Sequence, residues 1–183
     1  VKKAKYHLGI NKIGHTGTLD PFAEGVLILL TGKYTKLTNL FHLFDKEYKA
    51  FFQLGFSSTT GDTEGIIEKR GVIPEQTELE EVINTFQGTI DQKPHRFSAV
   101  KVNGKRAYDL ARENIEFDIK AKKVTINKIN LDKYNFETGE GILTVNCSTG
   151  TYIRTLVEDI ADKLETYGYT KQLVRTKIGP FNI

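Results

Sequence analysis

Methionine and tryptophan are absent from this 183-residue sequence, and cysteine occurs once, at Cys147. A single cysteine makes no intramolecular disulfide, so the chain must hold its shape through a packed core. Cys147, set between strand-forming neighbours, reads as core packing rather than as a thiol nucleophile. Long apolar runs are also missing: "GVLILL" and "AFFQLGF" fall far short of the roughly 20 residues that a membrane-spanning helix needs. No charged and then apolar leader is present, so a cytoplasmic protein without a membrane partner is expected. The sequence begins with valine, and further residues are expected before it. The histidines, His7, His15, His42 and His95, are scattered, and no Cys/His pair has ligand spacing. No metal site is expected. "LLTGKYT" comes nearest to a phosphate-cradling loop, but Leu27 stands where its first glycine belongs and Tyr34 where a hydroxyl residue should follow the lysine.

What is present suits one globular domain: 39% of residues are hydrophobic and 27% charged. The net charge of +3 says little alone, but the charge is clustered. Residues 93 to 123 hold nine basic side chains, Lys93, Arg96, Lys101, Lys105, Arg106, Arg112, Lys120, Lys122 and Lys123, against four acidic ones. Phe97, Tyr108 and Phe117 lie among them, a mixture that suits a phosphate backbone with unpaired bases beside it. A solvated charged face would look the same.

Hydrophobic spacing predicts the elements. "GVLILLTG" reads as a short buried strand closed by Gly32, "KLTNLFHLF" has helical spacing at Leu37, Leu40, Phe41 and Phe44, and "EYKAFFQLGF" reads as a second strand. Residues 57–65 form a polar loop, and "TELEEVINTFQG" is a helix with a capping box, Thr77 with Glu80, ended by Gly88. "RFSAVKVNGKRAYDLAR" gives a strand, a turn at Asn103-Gly104 and a helix. "KVTINKINLD" and "GILTVNCSTG" are predicted to pair antiparallel. "TYIRTLVEDIADKL" places Ile153, Leu156, Val157, Ile160 and Leu164 on one helical stripe. Strands and helices mix without regular βαβ alternation, so the fold class is α+β with a mixed, largely antiparallel sheet and flanking helices. No repeat or linker is visible.

The stretch "NKIGHTGTLDPFAEGVLILLTG" carries the most chemistry. Gly14, Gly17 and the Leu19-Asp20-Pro21 turn make a loop able to approach a ligand, with Asp20 placed as a nucleophile. Asp20 capping a helical turn that starts at Pro21 fits the same spacing. His15 reads as a loop residue bonded to backbone.

"GHTGTLDPFAEGVL" resembles the signature of the TruB family of tRNA pseudouridine synthases. "DKEYKAFFQLGFSSTTGDTEG", "QKPHRFSAVKVNGKRAYDLAR" and "VNCSTGTYIRTLVEDIADKL" resemble the family's later blocks, in the family's order and over nearly the whole chain. The resemblance implies a single catalytic domain, residues 1–183, of the pseudouridine synthase fold, with an RNA-gripping insertion around 93–118 and no C-terminal RNA-binding domain visible. It implies an isomerase that converts a flipped-out uridine, position 55 in the T-loop of tRNA, to pseudouridine without a cofactor.

Residue roles follow from the same likeness. Asp20 corresponds to the nucleophile and Arg154 to the arginine that pairs with it; such a partner favours the ionised carboxylate. Arg154 could instead pair with Glu158 one turn along an exposed helix face. Tyr48 matches the active-site tyrosine that stacks on the target base, although it also reads as an ordinary strand aromatic. His15 corresponds to the side chain that fills the space vacated by the flipped base, and Leu173 to a leucine lining the pocket. Lys93, Arg96, Lys101, Lys105, Arg106 and Arg112 would close over the tRNA T-arm. The sequence departs from the family at Phe97, where a tyrosine is usual, and at Val174, where a basic residue is usual. A monomer acting without guide RNA is expected. The competing readings are a tRNA-folding chaperone and a guide-RNA-dependent synthase.

Overall fold

Residues that alternate between apolar and polar build a seven-stranded sheet at the centre of the molecule, whose computed structural model describes residues 1–183. In chain order the elements begin with α1 (Lys2–Leu8), β1 (Ile13–His15), β2 (Glu24–Gly25) and β3 (Leu29–Thr31). A 3₁₀ turn, Gly32–Leu37, then runs into α2 (Thr38–Phe41), followed by β4 (Lys46–Leu54), β5 (Phe56–Ser58), β6 (Ile67–Lys69), α3 (Gln76–Asn84) and β7 (Gly88–Gln92). The rest comprises β8 (Lys101–Val102), β9 (Lys105–Arg106), α4 (Ala107–Arg112), β10 (Lys122–Asn135), β11 (Glu140–Cys147), α5 (Ile153–Lys163), β12 (Gly168–Ile178) and β13 (Phe181–Asn182).

The sheet order is β13-β12-β4-β11-β10-β7, and β2 joins the outer side of β12. Only the β2–β12 pairing is parallel, so the class is the mixed, largely antiparallel α+β fold that the sequence predicts. Ala50, Phe52 and Leu54 of β4 and Leu143, Val145 and Cys147 of β11 are buried at alternate positions. They form one core with α3 and α5. Ile153, Leu156, Val157, Ile160 and Leu164 are all buried, as their helical spacing predicts. Burial of side chains of this size contributes about 2 kcal/mol each, and this packing fixes where α5 starts.

Several local expectations are corrected. The helix over 76–84 forms, but the Thr77–Glu80 capping box does not: the residue before it, Glu75, is extended at φ −67° and ψ 152°, and no side chain caps the first turn. Thr77 therefore lies inside the helix, and Glu80 accepts instead from Gln76 at 2.7 Å. "GVLILLTG" is not one buried strand. Its start pairs with β12 and its end with β1, and of its apolar residues only Leu30 is buried. "KLTNLFHLF" is helical as a 3₁₀ turn and one α turn, yet Leu37 and Leu40 are exposed. The polar stretch 57–65 begins as strand, because β5 pairs with β6. The Asn103-Gly104 turn is present between β8 and β9, with φ of 50° and 85°. Both central residues have the positive φ of a tight hairpin turn.

Gly25 explains the break in the apolar run. Its φ is +105°, and a Cβ there would collide with the backbone of Arg175 on β12. Only glycine lets the two strands come this close. We expect Gly25→Ala to lower stability by about 3 kcal/mol and Gly104→Ala, which has positive φ but open space around it, by about 1 kcal/mol; urea denaturation of the two variants provides the comparison.

Candidate active site

Arg154 is the second residue of α5, and the helix packing drives its side chain inward until it is 3% exposed. A guanidinium removed from water must have its donors satisfied. Here Nε donates to Asp20 Oδ2 at 3.0 Å, Nη1 to Asp62 Oδ2 at 2.9 Å and to the Thr60 carbonyl at 3.0 Å, and Nη2 to the Phe97 carbonyl at 3.1 Å. Three loops from distant parts of the sequence therefore meet on one cation, with the Phe22 ring 5.9 Å from its centre.

The two carboxylates differ. The Asp62 side chain is 2% exposed, and its other oxygen accepts from the Thr60 hydroxyl at 2.5 Å and the Glu64 amide at 3.0 Å, so the "TTGDTEG" loop is folded around it. The Asp20 side chain is 32% exposed and keeps a face open. Asp20 sits in a turn closed by the Ala23 amide on its own carbonyl at 3.0 Å and caps no helix. Pairing of Arg154 with Glu158 is likewise not seen: Glu158 faces His95 Nε2 at 3.4 Å.

Two cavities meet at Asp20. One, of about 270 Å³, is walled by Tyr48, Tyr152, Leu173 and Arg175 as well as Asp20. The other, of about 530 Å³, is walled by Arg154, Phe97, Tyr108 and Arg112. Burial pushes the Tyr48 phenol above its ordinary range, and the Arg175 cation beside it opposes that shift. Burial likewise pushes up the Tyr152 phenol and pushes down the Lys46 ammonium. Cys147, fully buried, has its thiol pushed up to about 12 by burial, which suits packing and not nucleophilic chemistry. No group of three His, Cys, Asp or Glu side chains is arranged to hold a metal ion.

With these positions established, the family can be read directly: the model described as TruB family pseudouridylate synthase (N terminal domain) matches residues 5–153. The chain belongs to the TruB family. Among curated relatives, tRNA pseudouridine synthase B of Borreliella burgdorferi (strain ZS7) is 42% identical over 180 residues, 98% of this chain and 64% of the relative. That of Mycoplasma mobile is 46% identical over 180 residues, covering 97% and 62%. The TruB chain thus spans somewhat under two thirds of the length of these relatives. Its fold is also that of the crystal structure of a Cbf5-Nop10-Gar1 complex, with a TM-score of 0.74 at 26% identity over 99% of this chain and 44% of that one. An H/ACA RNP bound to a substrate RNA containing 2′-deoxyuridine shares the fold at a TM-score of 0.70 and 23% identity, covering 99% and 43%.

In this TruB chain the residues singled out by sequence fall into three groups. Asp20, Tyr48, Arg154 and Leu173 come together, three of them around the smaller cavity and Arg154 behind Asp20. Arg112 reaches the larger cavity. Lys101, Lys105 and Arg106 are exposed on the β8–β9 hairpin, Arg96 lies over Phe117 at 5.3 Å, and Lys93 pairs on the surface with Asp118 at 3.2 Å. His15 ends β1, half-buried, outside the walls of both cavities, and its Nδ1 is buried without a protein partner. Sequence reasoning missed Asp62, Lys46 and Arg175. Asp62 carried no signal beyond a polar loop, and Arg175 is visible only once the strand register is known.

Removing Asp62 leaves half of a buried guanidinium without its counter-charge, whereas removing Asp20 affects a group that water already reaches. We expect Asp62→Asn to cost about 3–5 kcal/mol of stability and Asp20→Asn about 1 kcal/mol or less, measured by urea denaturation at neutral pH.

Proposed function

We propose that the protein isomerises uridine to pseudouridine in tRNA, at position 55 of the T-loop, with Asp20 as nucleophile. The supporting observation is the Asp20–Arg154 pair at 3.0 Å, which orients a carboxylate at the edge of a cavity walled by Tyr48 and Leu173. Asp20 bonds to the nucleotide as its N1–C1′ bond breaks. The detached uracil turns so that C5 takes the bond to C1′, and the carboxylate leaves unchanged. A proton is lost from C5 and one is gained at N1, so atoms and electrons balance without an oxidant, a metal or a cofactor. Tyr48 stacks on the base and takes part in removing the C5 proton.

A uridine inside a folded loop is stacked, so the nucleotide has to be extruded to reach Asp20. In this reading His15 fills the gap that the base leaves, and Leu173 lines the pocket around it. The domain is a single catalytic unit with an RNA-gripping insertion around 93–118. Its exposed Lys101, Lys105 and Arg106 meet phosphates of the T-arm, with Lys93, Arg96 and Arg112 flanking them. The protein acts as a cytoplasmic monomer on tRNA alone. Loop shape and the extruded uridine supply specificity, so no guide RNA takes part.

Release of tritium from unmodified tRNA labelled at uridine C5 tests this directly, since isomerisation must expel that atom. The expected result is release approaching one label per tRNA by the unsubstituted protein and none by Asp20→Asn. Tight tRNA binding without release contradicts the proposal and favours the folding chaperone, and release only when a guide RNA is added favours the guided synthase.

A further inference from the structure

The least explained group at the site is the Arg175 side chain. It lies on β12, 2% exposed, in register with Tyr48 on β4. Its Nε donates to the Val26 carbonyl at 2.8 Å and its Nη2 to the Gly17 carbonyl at 3.2 Å. Its own backbone carbonyl accepts the Val26 amide at 2.8 Å. One residue thus grips the chain on both sides of Asp20, at a point where Gly25 has given up its side chain to let the strands meet. None of the molecule's ion pairs includes Arg175. A buried cation without a carboxylate partner is costly to desolvate, and an apolar residue would pack there at less cost. What the arginine adds is geometry: a planar fork reaching two carbonyls, with its charge beside the Tyr48 hydroxyl.

We propose that Arg175 is a positioning residue that fixes the Asp20 loop against Tyr48, so that nucleophile and phenol keep one separation through the reaction. The proposal rests on reading the site as that of a uridine isomerase. It assigns the two arginines different tasks. Arg154 orients the Asp20 carboxylate, while Arg175 holds the backbone that carries it. Arg175 also opposes the upward push of burial on the Tyr48 phenol, so its removal sends that phenol's titration to higher pH.

Arg175→Gln and Arg175→Lys test this with two measurements that need no substrate and one that does. Hydrogen exchange reports the Thr16 and Val26 amides, which bond to the Ile28 and Arg175 carbonyls. NMR of tyrosine labelled at Cζ, with the Tyr48 signal assigned through Tyr48→Phe, reports the phenol. Tritium release from tRNA reports kcat and KM. In Arg175→Gln we expect exchange of the two amides to rise about tenfold or more while α5 keeps its protection, the Tyr48 titration to move up, and kcat to fall about 10²-fold with KM within about threefold. Arg175→Lys keeps the charge but not the fork, so the loop loosens and kcat falls while Tyr48 titrates close to its parent value.

Unchanged loop exchange in both variants overturns the proposal. So does a loosened loop with kcat within about threefold of the parent, or protection lost throughout the molecule in both variants, which would make Arg175 a plain core residue. A parent protein that releases no tritium refutes the isomerase reading instead, and the exchange and titration results still decide whether Arg175 fixes the loop against Tyr48.

Discussion

A guanidinium with almost no access to water, held by two carboxylates and two carbonyls, sets the arrangement of the site. Arg154 must be satisfied once the apolar stripe of α5 has packed, because a buried arginine cannot shed its proton. The loops that supply Asp20, Asp62, Thr60 and Phe97 are brought together by that requirement. Asp62 balances the charge from a dry position and leaves Asp20 free to turn a face toward solvent and the cavities. A single carboxylate on Arg154 would have to serve both as buried counter-ion and as the group open to the cavities. With two, the tasks are divided.

The sheet supplies the rest of the frame. β4 and β12 run antiparallel with Tyr48 opposite Arg175, and Leu173 lies two residues before Arg175 on the same strand, so the cavity wall is a direct product of strand register. The Asp20 loop then hangs between α5 and β12, joined to one through Arg154 and to the other through Val26, Gly17 and Gly25. Such a loop is restrained at both ends while its middle stays open. That combination holds the Asp20 carboxylate in one orientation while leaving it accessible.

How far this could be read from the sequence depended on distance along the chain. The α5 stripe and the β10–β11 hairpin follow from local periodicity, and both are present. Thr77–Glu80 failed as a capping box although its spacing fits, since the N-cap is Glu75 and the helix starts two residues earlier than that box requires. "GVLILL" failed as one strand because its division is imposed by Arg175, about 150 positions away. Asp20, Tyr48, Arg154 and Leu173 were found through family likeness, and spacing alone had favoured a helix cap for Asp20. Asp62 looked like any loop carboxylate. Arg175, between Val174 and Thr176, looked like any strand residue, and only the fold reveals that it is buried with its fork on the Asp20 loop.

The most direct test of the central claim is the single-turnover rate of an Arg154→Lys variant on tRNA labelled with tritium at uridine C5, measured beside its tRNA Kd. Lysine keeps the charge but cannot reach Asp20, Asp62 and the two carbonyls together. The predicted result is a rate about 10³-fold lower with Kd within about threefold. A rate within about threefold of the unsubstituted protein would contradict the claim that this guanidinium organises the site.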